Sequence, residues 1–282
     1  MASDADGLLC LGIDRVDATV IAACPRLRVV ATVSVGFDNL DLAALSARRI
    51  PASNTPGVLT ETTADLAWAL ILAARRRVVE ADRFVRAGRW QQQAFDLLLG
   101  QDVHGATLGI VGYGAIGRAV ARRSVGFGMT VVHHDLVQAP PGDGISRWLP
   151  LDELLRLADV VSLHVTLTPS TRHLIGEREL RLMKPTAVLV NAARGQVVDQ
   201  AALVRALREG WIFAAGLDAT AIEPIPPEDL ILSLPNCIVL PHIGSATGAT
   251  RARMVDVAVD NVLAGLAGER LPNCINPEAY GP

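Results

Sequence analysis

Residues Thr107–Gly117 read TLGIVGYGAIG, an apolar run that leads directly into a G-x-G-x-x-G motif. The run predicts a buried parallel strand, and the motif predicts a turn into a helix whose N-terminus faces a dinucleotide pyrophosphate. In such a turn Gly112 permits the tight bend, Gly114 lets the backbone approach the pyrophosphate, and Gly117 lets helix and strand pack closely. The motif alone is a weak signal, because glycine-rich turns also occur in purely structural roles.

A second strand and an acidic residue strengthen this interpretation. Thr130–His134 is another apolar run, and it ends at Asp135, 18 residues after Gly117. An acid at this distance accepts hydrogen bonds from the ribose hydroxyls of NAD, and its charge repels the 2′-phosphate of NADP. The N–H groups of Ala115 and Ile116 at the helix start are expected to face the phosphates. The sequence therefore predicts NAD, with NADP less favoured; the alternative is that Asp135 is a surface turn residue.

Composition excludes several classes of protein. The chain has 282 residues, of which 50% are hydrophobic and 20% charged, with a net charge of −3. This length suggests two domains, and this apolar content excludes intrinsic disorder. Balanced charge without a basic block argues against binding to nucleic acid or to an acidic membrane. Four widely spaced cysteines predict reduced thiols in a cytoplasmic protein rather than disulfides or a metal site, and we expect no leader and no membrane span.

Strand-like and helix-like segments alternate along the chain, which is typical of an α/β protein with a parallel sheet. The predicted strands are Leu27–Val33, Thr107–Val111, Thr130–His134, Val160–His164, Ala187–Asn191 and Cys237–Leu240. The predicted helices are Thr60–Arg77, Ile116–Val125, Leu151–Arg156, Gln200–Glu209 and Thr250–Ala267.

Three polar residues follow later strands, at the edge where open parallel sheets bind their ligands: Arg194, Glu223 and His242. An arginine fork suits the carboxylate of a 2-oxo acid, and a histidine can protonate its carbonyl oxygen as hydride arrives. A carboxylate such as Glu223 can fix the tautomer of that histidine. Each residue alone also has a structural explanation, and their spacing does not show that they converge.

Almost the whole chain resembles the D-isomer-specific 2-hydroxyacid dehydrogenase family. The matching segments are VSVGFDNLDL, NTPGVLTETTADLAWALILA, TLGIVGYGAIGRAVARR, DVVSLHVTLTPSTRHLIG, VLVNAARGQVVDQAALVRAL, GLDATAIEP and PNCIVLPHIGSAT. The resemblance implies a Rossmann NAD-binding domain, a flavodoxin-like substrate domain and a homodimer. The dimer interface is expected near the helix Thr60–Arg77 and the segment after it.

The resemblance also implies roles for individual residues. Arg194, Glu223 and His242 fall on the family's catalytic triad, and the backbone amides of Val35 and Gly36 fall on its cradle for the substrate carboxylate. The cofactor contacts beyond the glycine loop and Asp135 are expected at Thr171, the Ala192 carbonyl, Asp218, His242 and Gly244.

Two segments resemble the glyoxylate/hydroxypyruvate reductase branch: HIGSAT from His242, and DATAIE from Asp218, which lacks the common aromatic residue. The expected reaction is hydride transfer from NAD(P)H to C2 of a small 2-oxo acid, giving the D-2-hydroxy acid. Many members of this branch use NADP and carry Ser/Thr-Arg where this chain has Asp135-Leu136, so NAD remains the prediction. Two alternatives stay open: a non-catalytic NAD-sensing binding protein or co-repressor, and a dehydrogenase for another acid such as D-3-phosphoglycerate.

The expected domains are a substrate domain in residues 1–72, an NAD-binding domain in 73–243, and a C-terminal helix and tail in 244–282 that returns to the substrate domain. The family match begins near Asp4. We therefore expect the substrate domain to lack its opening strand and helix and to be incomplete at its N-terminus.

Overall fold

The computed structural model describes residues 3–136 and 144–281, and the chain divides into two compact units. The smaller unit comprises Met1–Leu59 and Ser245–Pro282, and the larger unit is Thr60–Gly244. The boundaries predicted from the sequence are 72/73 and 243/244, whereas the two units meet at 59/60 and 244/245. The first boundary lies 13 residues earlier because helix α3, Thr60–Arg75, packs against the sheet of the larger unit.

The larger unit is built on a seven-stranded parallel sheet with the order β10-β9-β8-β7-β4-β5-β6. Its strands are β4 (Thr107–Val111), β5 (Thr130–His134), β6 (Ser146–Trp148), β7 (Val160–Leu163), β8 (Val188–Asn191), β9 (Ala214–Leu217) and β10 (Cys237–Val239). The strand order reverses between β4 and β7, which are hydrogen-bonded neighbours. Ligands of open α/β sheets bind at the carboxyl ends of strands at such a reversal.

Helices cover the sheet of the larger unit. They are α3 (Thr60–Arg75), α4 (Val78–Arg86), α5 (Ala115–Ser124), α6 (Leu151–Leu157), α7 (Glu177–Leu182) and α8 (Gln200–Glu209). One core cluster contains apolar residues of α3, α5, β4 and β8, and another contains those of α6, α8, β7 and β9. Strands β7 and β8 are buried along their whole length, as expected where both faces of a parallel sheet are covered.

The smaller unit is a three-stranded parallel sheet with the order β1-β2-β3. Its elements are β1 (Gly7–Leu11), α1 (Ala18–Ala23), β2 (Val29–Val33), α2 (Leu42–Ala47), β3 (Ala52–Ser53) and α9 (Gly248–Ala267). Helix α9 lies close against β2: a Cβ at Gly265 would come within 2.6 Å of the Val29 side chain.

The α/β class, the parallel sheets and the Rossmann arrangement predicted from sequence are confirmed. The predicted bounds of β4, β5 and α8 are those observed. Four of the described strands were not predicted: β1, β3, β6 and β9. Strands β3 and β6 have only two and three residues, too few for a readable period. Among the described residues, no helix is long and apolar enough to cross a membrane.

Candidate functional site

The glycine loop has the geometry of a pyrophosphate cradle. Gly112 has a φ of +95°, and a Cβ on it would lie 2.6 Å from the backbone carbon of His164. A Cβ on Gly117 would lie 2.2 Å from the Gly112 carbonyl oxygen, so helix α5 can pack on β4 only with glycine here. Gly114 is exposed, and nothing lies within 4 Å of its ideal Cβ position. The loop therefore leaves open space where a dinucleotide phosphate would approach the backbone.

The start of helix α5 fits the same group. Gly114 is the N-cap residue and provides no side-chain cap, Ala115 is exposed, and Ile116 is half-buried. The first N–H groups of a helix lack intrahelical acceptors and attract anions. These residues would hold the pyrophosphate of NAD(P), as the motif predicts.

Replacing Gly114 with alanine should weaken NADH binding without unfolding the protein. The new methyl group meets no protein atom, but it occupies the space through which the phosphate reaches the backbone. We expect the Kd for NADH to rise about 5- to 150-fold, since overpacking costs about 1–3 kcal/mol. Gly126→Ala is the matched control, because Gly126 is also exposed with nothing within 4 Å of its Cβ position. Equal NADH affinity of both variants, measured by fluorescence titration, would contradict the assignment.

Asp135 lies directly beside the glycine loop, at the end of β5. Its Oδ2 accepts a hydrogen bond of 2.8 Å from the backbone N–H of Tyr113, the residue between the first two motif glycines. The Tyr113 ring stacks on His133 at a centroid distance of 4.0 Å. The carboxylate is therefore fixed next to the loop. Its contact with an adenosine ribose stays a prediction.

Glu223 and His242 form a direct pair. Nδ1 of His242 lies 2.8 Å from Oε2 of Glu223, and the side chains are 41% and 29% exposed. Oε1 of Glu223 accepts a 2.9 Å hydrogen bond from the backbone N–H of Thr220, which fixes the carboxylate from its other side. Because Nδ1 faces the carboxylate, Nε2 is the ring nitrogen left for proton donation to a substrate.

The environment of Glu223 keeps its carboxylate ionised. Burial opposes ionisation, but the hydrogen bonds from His242 and from the Thr220 N–H outweigh it, with help from the charges of His242 and Arg194. Together they hold the pKa of Glu223 below its ordinary value. The Glu223 carboxylate therefore stays ionised throughout the neutral range and is protonated only in acid.

His242 itself has a backbone conformation that few residues adopt. Its φ is +54°, in the left-handed region that is costly for a non-glycine residue. Asp218 holds the loop that follows, because its two carboxylate oxygens accept 2.7 Å hydrogen bonds from the N–H groups of Ile243 and Gly244. Burial raises the pKa of Asp218, although these N–H groups oppose the rise. Strain of this kind persists where surrounding contacts enforce it, as they do at functional sites.

Arg194 is presented by a turn at the carboxyl end of β8. Asn191, fully buried, donates from Nδ2 to the Arg194 carbonyl at 2.9 Å and accepts from the Ala193 N–H at 3.0 Å. This turn also includes Ala192, which is half-buried. Arg194, Glu223 and His242 follow β8, β9 and β10, which are neighbours in the sheet. The charge of Arg194 also helps to lower the pKa of Glu223.

The hydroxyl of Thr171 organises its own loop. Thr171 is buried, donates to the Thr166 carbonyl at 2.7 Å and accepts from the Thr168 N–H at 2.7 Å. Val35 and Gly36 belong to the smaller unit, where Asn54 donates to the Val35 carbonyl at 2.8 Å and Ser34 donates to the Gly36 carbonyl at 2.5 Å. Direct cofactor contact by Thr171 and substrate contact by Val35 and Gly36 stay predictions.

Asn191 was missed by the sequence analysis as a site residue. The available signal was an amide at the end of an otherwise apolar buried strand, where a polar side chain must find backbone partners. Among the described residues, no cluster of three or more His, Cys, Asp or Glu side chains is placed to hold a metal ion.

Comparisons with known proteins place the chain in one family. Residues 68–244 match the family model "D-isomer specific 2-hydroxyacid dehydrogenase, NAD binding domain". Glyoxylate reductases of Korarchaeum cryptofilum and Thermococcus gammatolerans are 52% and 48% identical, each over 98% of this chain and 84% of the relative.

Solved structures match as well. The TT0316 protein of Thermus thermophilus has a TM-score of 0.91 and 50% identity, covering 97% of this chain and 87% of that one. A glyoxylate reductase from Paecilomyes thermophila has a TM-score of 0.88 and 37% identity, covering 98% and 85%. The fold, the glycine loop and these matches together show that the chain belongs to the D-isomer specific 2-hydroxyacid dehydrogenase family.

Proposed function

We propose that the protein reduces a small 2-oxo acid of the glyoxylate or hydroxypyruvate type to the D-2-hydroxy acid, with NADH as the cofactor. The observation that carries this proposal is the His242–Glu223 pair at 2.8 Å, at the same sheet edge as Arg194. It combines a proton donor, its orienting carboxylate and a cation for an acidic substrate. The curated relatives named above are glyoxylate reductases, which supports this substrate class.

The roles of the three residues follow from their chemistry. NADH, when bound, supplies the hydride that C2 of the 2-oxo acid receives. Arg194 binds the substrate carboxylate and polarises the C2 carbonyl, since a guanidinium matches a carboxylate with two parallel hydrogen bonds. His242 gives the proton of Nε2 to the carbonyl oxygen, and Glu223 stabilises the imidazolium before that transfer.

The remaining predicted contacts complete the proposed site. The Ala192 carbonyl and Asp218 are proposed to hold the nicotinamide carboxamide, with Thr171 near the pyrophosphate and Gly244 beside the cofactor. Each Asp218 oxygen already accepts one N–H and keeps a second lone pair for this purpose. The amides of Val35 and Gly36 are proposed as further donors to the substrate carboxylate, on the family resemblance alone.

NAD is the proposed cofactor because of Asp135. Its carboxylate is fixed beside the glycine loop by the Tyr113 N–H, where it would accept the ribose hydroxyls. A 2′-phosphate at this position would face a negative charge. A solved relative with 36% identity is named an NADPH-dependent glyoxylate/hydroxypyruvate reductase, so both cofactors belong in the test.

The test is oxidation of NADH and NADPH with glyoxylate, hydroxypyruvate, pyruvate and phosphohydroxypyruvate, followed by the loss of dihydronicotinamide absorbance. We expect NADH-dependent turnover of glyoxylate or hydroxypyruvate, with a higher kcat/KM than with NADPH. A preference for phosphohydroxypyruvate would instead identify a phosphoglycerate-type dehydrogenase. NADH binding without turnover of any acid would overturn the proposal in favour of a cofactor-sensing binding protein.

We also propose that the protein is a homodimer through the segment of residues 78–99. Helix α4 at the start of this segment has no buried residue. Six large apolar side chains of the segment are exposed: Val78, Val85, Trp90, Phe95, Leu97 and Leu99. Such a concentration is typical of a surface covered by a partner, and a second copy is the partner that the family resemblance implies.

Introducing charge into the 78–99 segment should therefore dissociate the dimer. We expect the double variant Trp90→Asp/Phe95→Asp to run as a monomer in size-exclusion chromatography with light scattering, while the native protein runs as a dimer. Val125→Asp is the matched control, because Val125 is a similarly exposed apolar residue outside the segment. A monomeric native protein, or a dimeric double variant, would contradict this assignment.

A further inference from the structure

The loop that carries Glu223 is held by two glutamine side chains. Gln200, the first residue of α8, accepts a 2.9 Å hydrogen bond from the N–H of Ala221. Gln196, in the turn after Arg194, donates a 2.9 Å hydrogen bond to the Ala221 carbonyl. Ala221 is therefore fixed through both of its backbone polar groups by side chains from a different part of the chain.

The Gln200 amide is itself oriented by a carboxylate. Its Nε2 donates a 2.7 Å hydrogen bond to Oδ2 of Asp229, so the oxygen Oε1 faces Ala221. The other oxygen of Asp229 accepts from the Ile231 N–H at 3.0 Å. Gln200, Gln196 and Asp229 together form a clamp on Ala221. A carboxylate can accept hydrogen bonds only from the NH₂ group of an amide, so the charge of Asp229 sets the orientation of the Gln200 amide.

Gly195 brings the two loops into backbone contact. A Cβ on Gly195 would lie 1.9 Å from the Thr220 carbonyl carbon and 2.5 Å from the Ala221 nitrogen. The turn that presents Arg194 therefore packs directly on the peptide that leads to Glu223. The Thr220 N–H at the start of this peptide also donates to the Glu223 carboxylate.

We propose that Gln200 and Gln196 are positioning residues that hold the Thr220–Ala221 peptide in register with the Arg194 turn, and through it keep the Glu223 carboxylate against His242. This inference rests on the proposed function for its catalytic consequence. Neither glutamine needs to touch substrate or cofactor. Their contribution is to preorganise the carboxylate that orients the proton donor, and small displacements of such groups are costly to turnover.

The decisive variant is Gln200→Met, which keeps the length of the side chain and removes both hydrogen bonds. We expect kcat with the 2-oxo acid to fall about 10- to 100-fold, with an unchanged KM for NADH. In the ligand-free protein, we expect carboxyl NMR to show the pKa of Glu223 moving up toward its ordinary value, because the contacts that lower it are loosened. This titration gives an answer even if the native protein reduces none of the acids tested.

Exchanging the charges of Gln200 and Asp229 tests whether activity lost in one variant is recovered in a double variant. Gln200→Glu keeps the acceptor for the Ala221 N–H but places its carboxylate against Asp229, so it should be impaired. Adding Asp229→Asn restores a donor between the two side chains and the original net charge, and it should recover most of the activity. Rescue of this kind distinguishes positioning by the clamp from a general loss of stability.

A matched structural control lies at the other end of the sheet. Asn236 also clamps backbone with its amide, donating to the carbonyls of Leu207 at 3.2 Å and Phe213 at 3.1 Å. Asn236→Leu should lower Tm to a similar extent without shifting the Glu223 titration. The proposal is overturned if Gln200→Met leaves both the Glu223 titration and kcat unchanged, or if Asn236→Leu shifts that titration equally.

Discussion

Replacing His242 with asparagine should lower kcat for the 2-oxo acid by about 10²- to 10⁴-fold, the contribution typical of a general acid. Asparagine tolerates the left-handed backbone at this position better than alanine does, so the loop keeps its shape while the proton donor is lost. NADH binding should stay nearly intact, because the glycine loop and Asp135 lie at other strands. Steady-state kinetics and fluorescence titration of NADH measure the two effects separately.

The matched control for this variant is His104→Asn, since His104 is exposed in a turn before β4. It should have native kcat and native NADH affinity. Turnover of the His242 variant at the native rate would remove His242 from the mechanism. If the variant loses NADH binding as well as turnover, His242 has a structural role instead.

Replacing Arg194 with alanine should lower kcat/KM for the 2-oxo acid by about 10²- to 10³-fold, as expected when one partner of a buried charge pair is removed. The substrate carboxylate would then lose its cation, and the carbonyl would lose its polarising group. Loss of the Arg194 charge should also let the pKa of Glu223 rise, which moves the acid limb of the pH profile to higher pH.

Added guanidinium chloride should restore part of the activity of Arg194→Ala, because the free cation can enter the space left by the side chain. Arg253→Ala, an exposed arginine on α9, is the control and should show native kinetics with no response to guanidinium. Native kcat/KM in Arg194→Ala would exclude the proposed carboxylate contact.

Local patterns predicted most of the larger unit. Strands β4 and β5 were predicted with their observed bounds, because each short strand-like run ends at a residue typical of turns, Gly112 or Asp135. The position of Asp135 beside the glycine loop followed from the same motif. The domain boundary before α3 could not be predicted in the same way. The sequence of α3 is apolar on several sides and does not reveal which sheet the helix covers.

The contacts that hold the site could not be read from the sequence. Arg194, Glu223 and His242 were recognised by residue type and family resemblance, but their convergence depends on the parallel pairing of β8, β9 and β10. The glutamines at 196 and 200 carry no motif of their own. Their importance comes from hydrogen bonds to the backbone of Ala221, a residue whose side chain is an unreactive methyl group. Tertiary contacts to backbone groups leave no periodic signal in a sequence.

The chain passes between its two units at only two points, between Leu59 and Thr60 and between Gly244 and Ser245. The larger unit is therefore one uninterrupted stretch that contains the glycine loop, Asp135 and all three ionisable groups of the proposed chemistry. Because these groups lie on one continuous polypeptide, none of them depends on a crossing of the chain between the two units.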